Sequence, residues 1–183
     1  MQFYQQILDN QQNIIMKIEI REYKNEDKES CMLAFKSSVP KFFTEDETHL
    51  FDIFLEDFSA GIIDEKYNEK TFYYSVHYFE KSSDDKNIEK IIGCGGFAFS
   101  EEKNEVKFVW GLIHSDFHKK GFGEKLLQFR LEEIKKLYPK ANILLDTTQH
   151  SFTFFEKYGF VTTKITNDSY GVGMHRYDMI KVV

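Results

Sequence analysis

The chain has 183 residues, 42% of them hydrophobic, which suits one domain with a full core and two only if both are small. Its 24 Lys and Arg stand against 30 Asp and Glu, a net charge of −6, which excludes the broad basic face of a nonspecific nucleic-acid binder; any phosphate site must be local. The two cysteines, Cys31 and Cys94, lack CxxC spacing, which excludes a disulfide scaffold and a structural zinc site, so no metal is expected and a reducing, cytoplasmic setting is.

The first fifteen residues, "MQFYQQILDNQQNII", lack the basic start and long apolar core of a secretory signal, and no apolar run is long enough to span a bilayer. Residues 1–15 read as an N-terminal extension carrying a short helix, and residues 16–183 as one domain. Ile18 and Ile20 alternate with Lys17, Glu19 and Arg21, a strand pattern. "NEDKESCMLAFKSSV" follows as a helix, with Asn25 as N-cap, Cys31, Leu33, Ala34 and Phe35 on its apolar side and Pro40 beyond its end. "ETHLFDIFLEDF" gives a second helix through Leu50, Ile53, Phe54 and Phe58. "TFYYSVHYF" (71–79) is aromatic and β-branched, hence a strand, and the polar "EKSSDDKNIEK" (80–90) reads as a turn. "IIGCGGFAF" (91–99) and "EVKFVWGLIH" (105–114) form a hairpin around Glu101–Asn104. Gly121–Tyr138 is the clearest helix, its apolar side marked by Leu127, Leu131, Ile134 and Tyr138, with Pro139 as the stop. "NILLD" (142–146) is a strand covered on both faces, Ser151–Tyr158 a short helix closed by Gly159, and "FVTTKI" (160–165) and "HRYDMIKVV" (175–183) the final strands. The order β-α-α-β-β-β-α-β-α-β-β is that of a mixed α/β domain.

Two glycine motifs compete for a phosphate-bearing ligand. Gly93-x-Gly95-x-x-Ala98 matches the dinucleotide fingerprint as a string, but that fingerprint needs a strand turning into a helix. Here strand alternation continues through Phe97 and Phe99, which favours close strand packing. His118-x-x-Gly121-x-Gly123 does sit between a strand and a helix. Amides freed at a helix start point outward, the helix dipole adds positive potential, and His118, Lys119 and Lys120 supply charge. A solvated, glycine-started turn would carry the same residues.

The wider context decides between these readings. "IHSDFHKKGFGEKLL" after a strand resembles the cofactor motif of the GNAT-type N-acetyltransferases, roughly V-x-P-x-Y/F-Q/R-x-x-G-x-G-x-x-L-L/M. "SFTFFEKYGF" (151–160) resembles their next motif, A-x-x-F/L-Y-E-K-x-G-F, and a helix and a strand separate the two as that family requires. The resemblance implies a GNAT-like acyl-CoA N-acyltransferase fold, a central, mostly antiparallel sheet flanked by helices. It also implies acetyl-CoA as co-substrate and direct acetyl transfer to a primary amine in a ternary complex. Lys119, Lys120, Gly121, Phe122, Gly123 and Glu124 would hold the pyrophosphate. The backbone of Leu112 and Ile113 would pair with the pantetheine arm, one amide there polarising the thioester carbonyl. Trp110–Gly111 fits the bulge that splays this strand from its neighbour.

Several positions depart from the family pattern. Ser115 stands for the usual Pro, His118 for Gln or Arg, Thr148 for an Asn that touches the cofactor, and Phe155 for the Tyr that protonates the departing thiolate. Lys107 falls where some members carry a catalytic Glu. The base that must deprotonate an amine is assigned to His150, with Asp146 nearby; a helix-start surface histidine is the plainer account of the same residue. Tyr170 and His175, in the last loop, are further candidates to reach an acceptor. From Thr44 to Glu65 the chain has eight acids and no Lys or Arg, which suits either a cationic acceptor or a solvated helix face. The expected partner is a small-molecule or peptide amine, with no nucleic acid and no membrane; the sequence does not state an oligomeric form. A GNAT-like domain that senses acyl-CoA without catalysis is the alternative, and the missing Tyr and Glu support it.

Overall fold

The computed structural model describes residues 3–8, 15–81 and 87–183. The N-terminal extension forms a strand where a helix was expected: β1 (Phe3–Leu8) pairs antiparallel with β2 (Ile15–Glu22), from Phe3 opposite Ile20 to Leu8 opposite Ile15. β2 would otherwise present a bare edge, and a ladder satisfies backbone groups that a lone short helix could not. Ile18 and Ile20 are buried as their alternation predicts. Glu19 between them is buried too, because Lys17 and Arg21 close on its carboxylate.

The helix α1 (Lys28–Lys36) buries Cys31, Ala34 and Phe35, while Leu33 is 63% exposed. Asn25 does not cap it. It lies in a 3-10 turn, Asn25–Asp27, whose first free amide, that of Lys24, donates to the Asp27 carboxylate at 3.0 Å. α2 (Glu45–Ser59) begins with the amide and hydroxyl of Thr44 both donating to the Glu47 carboxylate. Its buried residues are Phe51 and Leu55, one residue round from the expected side, and Leu50 is exposed. Aromatic packing sets that rotation: the Phe51 ring lies 4.8 Å from Phe35 and 5.4 Å from Trp110. A one-turn helix absent from the sequence reading, α3 (Ile63–Tyr67), follows and ends on Asn68 at φ 52°.

β3 (Lys70–Lys81) and β4 (Asn87–Ser100) run farther than predicted. Most of the expected turn at 80–90 is strand, and its centre, 82–86, lies outside the described residues. The polar residues there pair across the ladder, Glu80 with Lys90 and His77 with Glu89, so polarity did not mean a turn. β4 and β5 (Glu105–Ile113) form the predicted hairpin. Gly93–Ala98 lies wholly within β4, and a Cβ at Gly93 would stand 2.4 Å from the Leu112 carbonyl oxygen. Close strand packing therefore accounts for that motif, and no helix follows it. After α4 (Phe122–Leu137) come β6 (Asn142–Thr148), α5 (Phe152–Glu156), β7 (Val161–Gly171) and β8 (Met174–Lys181). β7 outruns its predicted end at 165, because its alternate residues pair with β8 at the sheet edge and carry little apolar signal.

The strands form one eight-stranded sheet in the order β1-β2-β3-β4-β5-β6-β8-β7. All neighbours are antiparallel except β5 and β6. α4 and α5 pack on one face with Val76, Phe97, Phe108 and Phe160; α1 and α2 cover the other over Tyr73, Cys94 and Leu112. Among the described residues no helix is long and apolar enough to cross a membrane.

Candidate functional site

The parallel pair β5/β6 holds for only three residue pairs, Glu105–Lys107 against Asn142–Leu144. Beyond them the strands diverge. β5 stays bonded to β4 on its outer side and β6 to β8, so each keeps one bare edge facing the other. The cause of the divergence lies in β5. Between Val109 and Leu112 it places Trp110 and Gly111 opposite the single residue Gly95, a bulge at the predicted place, with Trp110 at φ 38°. The Tyr73 hydroxyl holds the bulge from beneath, donating to the Trp110 carbonyl at 3.0 Å.

Alternation along an antiparallel ladder then fixes which groups face the cleft. The His114 amide donates to the Ile92 carbonyl. Leu112 is paired with Cys94, and the intervening Ile113 turns its N–H and C=O away from β4. The Ile113 carbonyl is already used, since His118 Nε2 donates to it at 2.6 Å. His118 thus ties the glycine loop to the end of β5, and its ring stands edge-on to Phe42 at 5.4 Å.

The loop enters α4 through Lys119 at φ 61° and Gly121 at φ 82°, the latter the N-cap. The first bond of the helix is Lys125 N–H to the Gly121 carbonyl, so the amides of Phe122, Gly123 and Glu124 precede it and are free. A Cβ at Gly121 would meet nothing within 4 Å, so its backbone lies open. Lys119 and Lys120 are exposed, and the Lys120 ammonium sits 5.1 Å from the Phe117 ring. Open amides, a helix start and two cations converge at one end of the cleft, an arrangement suited to a polyphosphate. Bare strand edges lead away from it, able to bond an extended amide-bearing chain. The residues present therefore fit a coenzyme A-like ligand.

Other predicted positions are placed as follows. Thr148 is buried at the end of β6, its hydroxyl accepting from the His150 amide at 3.3 Å and its carbonyl from Ser151 at 3.0 Å. Phe155 is half-buried on α5, in ring contact with Phe154 and with Phe160, which packs on Phe108 of β5. His150 and Asp146 are not brought together. The His150 imidazole is exposed, 6.0 Å from the Phe42 ring. Asp146 instead accepts from the Tyr170 hydroxyl at 2.5 Å, with Lys107 and Arg176 each 3.5 Å away. Burial, then the Asp146 carboxylate, holds the Tyr170 phenol well above its usual range. His175 stays in the β7/β8 hairpin, its Nδ1 accepting from the Asp168 amide. Three of the eight acids in the run are paired locally: Lys28 bridges Asp52 and Glu56, and Lys66 holds Asp57.

Arg130 was missed from the sequence. It is 4% exposed on α4, its Nη1 facing the Gly96 carbonyl and its guanidinium beside Gly111. The signal existed, for Arg130 falls on the Leu127–Ile134 side of the helix, where an arginine is out of pattern. Among the described residues no cluster of His, Cys, Asp and Glu could hold a metal ion.

The sequence model of the acetyltransferase (GNAT) domain matches residues 84–181. A search of curated proteins finds no match. Solved structures share the fold. The PaiA N-acetyltransferase from Thermoplasma acidophilum, in complex with coenzyme A, is 19% identical over 91% of this chain and 99% of its own, with a TM-score of 0.61. The ribosomal-protein-S18-alanine N-acetyltransferase from Escherichia coli is 11% identical over 91% and 94%, at 0.64. A spermidine N-acetyltransferase chimera from Vibrio cholerae and hSSAT is 15% identical over 90% and 95%, at 0.63. With a bulged β5 splayed from β6, a glycine-started α4 at the mouth of the gap and a domain match across more than half its length, the chain belongs to the GNAT acetyltransferase family.

Proposed function

We propose that the chain is an acetyl-CoA-dependent N-acetyltransferase acting on a primary amine by direct transfer in a ternary complex. The observation that carries this reading is the junction of free helix-start amides with the bare edges of β5 and β6. Bound acetyl-CoA supplies an acetyl group activated as a thioester. Phe122, Gly123 and Glu124 offer their amides to the pyrophosphate, with Lys119 and Lys120 adding charge. The Ile113 amide, turned to the cleft, would bond the thioester carbonyl as charge develops on it. His118 fixes that amide by holding the adjacent carbonyl. Phe155, backed by the buried Phe160, would give the far side an apolar wall.

A lysine-like amine is neutral in only about one molecule in 10³ at pH 7, so a base must act. Asp146 is committed to Tyr170 and to two cations, which leaves the exposed His150 as the base or the anchor of a water relay. Two of the structural neighbours act, by their names, on spermidine and on a ribosomal-protein alanine, which supports an amine acceptor here. A non-catalytic acyl-CoA sensor is the second reading, favoured by Phe155, which has no hydroxyl to give. Free coenzyme A release, measured with acetyl-CoA and a panel of cationic and neutral amines, separates them. Amine-dependent release is expected; tight acetyl-CoA binding with no release above hydrolysis for any amine would establish the sensor instead.

A further inference from the structure

The guanidinium of Arg130 is a cation with almost no company. Nη1 donates to the Gly96 carbonyl at a long 3.4 Å, Cζ lies 4.1 Å over the Phe108 ring, and Nε has no partner. No carboxylate approaches it among the described residues. The ionisable groups facing it are Tyr73 from β3 and Cys94 from β4, and burial draws its pKa down only to about 10, so it is charged at neutral pH. Burying an unpaired charge is costly, and one long hydrogen bond with one cation–π contact returns only part of that cost.

Its position is built by a missing side chain. A Cβ at Gly111 would stand 2.7 Å from Nη1 and 3.0 Å from Nη2, so only glycine admits the guanidinium there. Gly111 itself is exposed and forms part of the bulge in the strand that parts from β6. The charge therefore sits behind a single strand with no side chain in the way. Along α4 it lies nine residues from the Gly121 cap, about 13 Å by helical rise, so it is remote from the phosphate end of the cleft. Gly111 stands two residues before Ile113, whose amide is the proposed donor to the thioester carbonyl. Phe155, which stands where the resembling family carries Tyr, has no hydroxyl to protonate a departing sulfur.

We infer that Arg130 stabilises negative charge on the sulfur of coenzyme A bound in the β5/β6 cleft, so that the sulfur can leave as a thiolate without a proton donor. The inference rests on the acetyl-transfer reading. In that transfer the amine lone pair becomes the new C–N bond and the C–S pair leaves on sulfur. The proton lost from nitrogen passes to the base and then to water; none is needed at sulfur within the site. Arg130 acts through the Gly111 backbone, as a positioning residue and not a catalytic one.

The test uses binding, not turnover. Coenzyme A and desulfo-coenzyme A are titrated calorimetrically into wild type, Arg130→Met and Arg130→Lys between pH 6.5 and 9. A bound thiol whose pKa is lowered by one unit gains about tenfold in affinity as both forms become ionised. In wild type the preference for coenzyme A over its desulfo analogue should rise about tenfold or more across this range. In Arg130→Met it should stay flat, with desulfo-coenzyme A affinity preserved, and Arg130→Lys should restore part of the rise. A flat wild-type profile, or an unchanged rise in Arg130→Met, would overturn the role of Arg130 and leave the cofactor reading standing. Wild type that bound neither ligand would overturn both. Should the variants not fold, thiolate absorbance of coenzyme A bound to wild type decides alone: titration at or above the free-thiol value sinks the inference.

Discussion

Replacing Gly121 by alanine tests the phosphate loop where it is most open. Gly121 has φ 82°, and a Cβ there would touch nothing, so the substitution costs conformation and no contact. Holding an L-residue in the left-handed region costs roughly 1–2 kcal/mol. If the loop must keep this shape to aim its amides, that cost appears in ligand affinity as about 5–30-fold in Kd. Gly123 provides the opposite case. It lies in the helix, and its Cβ would be 3.9 Å from Ile113 Cγ1, an ordinary contact. Gly123→Ala should therefore stabilise the fold by about 0.5–1 kcal/mol, a rise in Tm of about 1–4 °C. A methyl group among the helix-start amides should nonetheless hinder an anion, so stability rises while coenzyme A affinity falls. Lys119→Ala removes an exposed charge worth about 0–1 kcal/mol and should lose less affinity than Gly121→Ala. Calorimetric titration with coenzyme A and thermal unfolding read the two effects separately. Wild-type affinity in both glycine variants would show that the helix start is not the phosphate site.

Phe155→Tyr should leave coenzyme A affinity nearly unchanged and can raise kcat by no more than the roughly 10²–10⁴-fold of general acid help. Phe155→Ala, which loses ring contacts to Phe154 and Phe160, should change kcat or acetyl-CoA Kd; steady-state kinetics and titration showing neither would remove Phe155 from the cofactor. Burial first, then Glu133, pushes the Tyr74 phenol up to about 12. The fold favours its neutral form, so its contribution to stability is whole below the unfolded value of about 10 and is lost as pH rises from 10 through 12. Urea unfolding across that window should show a smaller loss in Tyr74→Phe than in wild type, and parallel losses would refute the assignment.

How legible the molecule was depended on how local the determining forces are. α4 showed itself because Leu127, Leu131 and Ile134 repeat along one side, and the hairpin turn at Glu101–Asn104 because its composition is local. The bulge was readable from Trp110–Gly111, since glycine marks close approach. Sheet order was not legible from spacing: β8 inserts between β6 and β7, a choice made by contacts distant in the chain. Polar pairing across a ladder hid the outer part of β3 and β4, where Glu80 and Lys90 read as turn residues. The expected His150–Asp146 pair failed for a related reason. Proximity in sequence suggested it, while Tyr170 arrived on β7 from 24 residues away to take the carboxylate.

The three-rung junction between β5 and β6 has a consequence for how the molecule holds together. Past Lys107 and Leu144 the backbone of the sheet is cut in two, and what remains across the gap is side-chain contact, such as Phe108 on Phe160 and Lys107 beside Asp146. A ligand arm bonded to both edges would behave as one more strand, donated from outside the chain. Its binding energy would then act as folding energy, growing as the logarithm of ligand concentration over Kd. The two halves of the protein would be most independent when the ligand is scarce, and the degree of that independence would report the ligand supply.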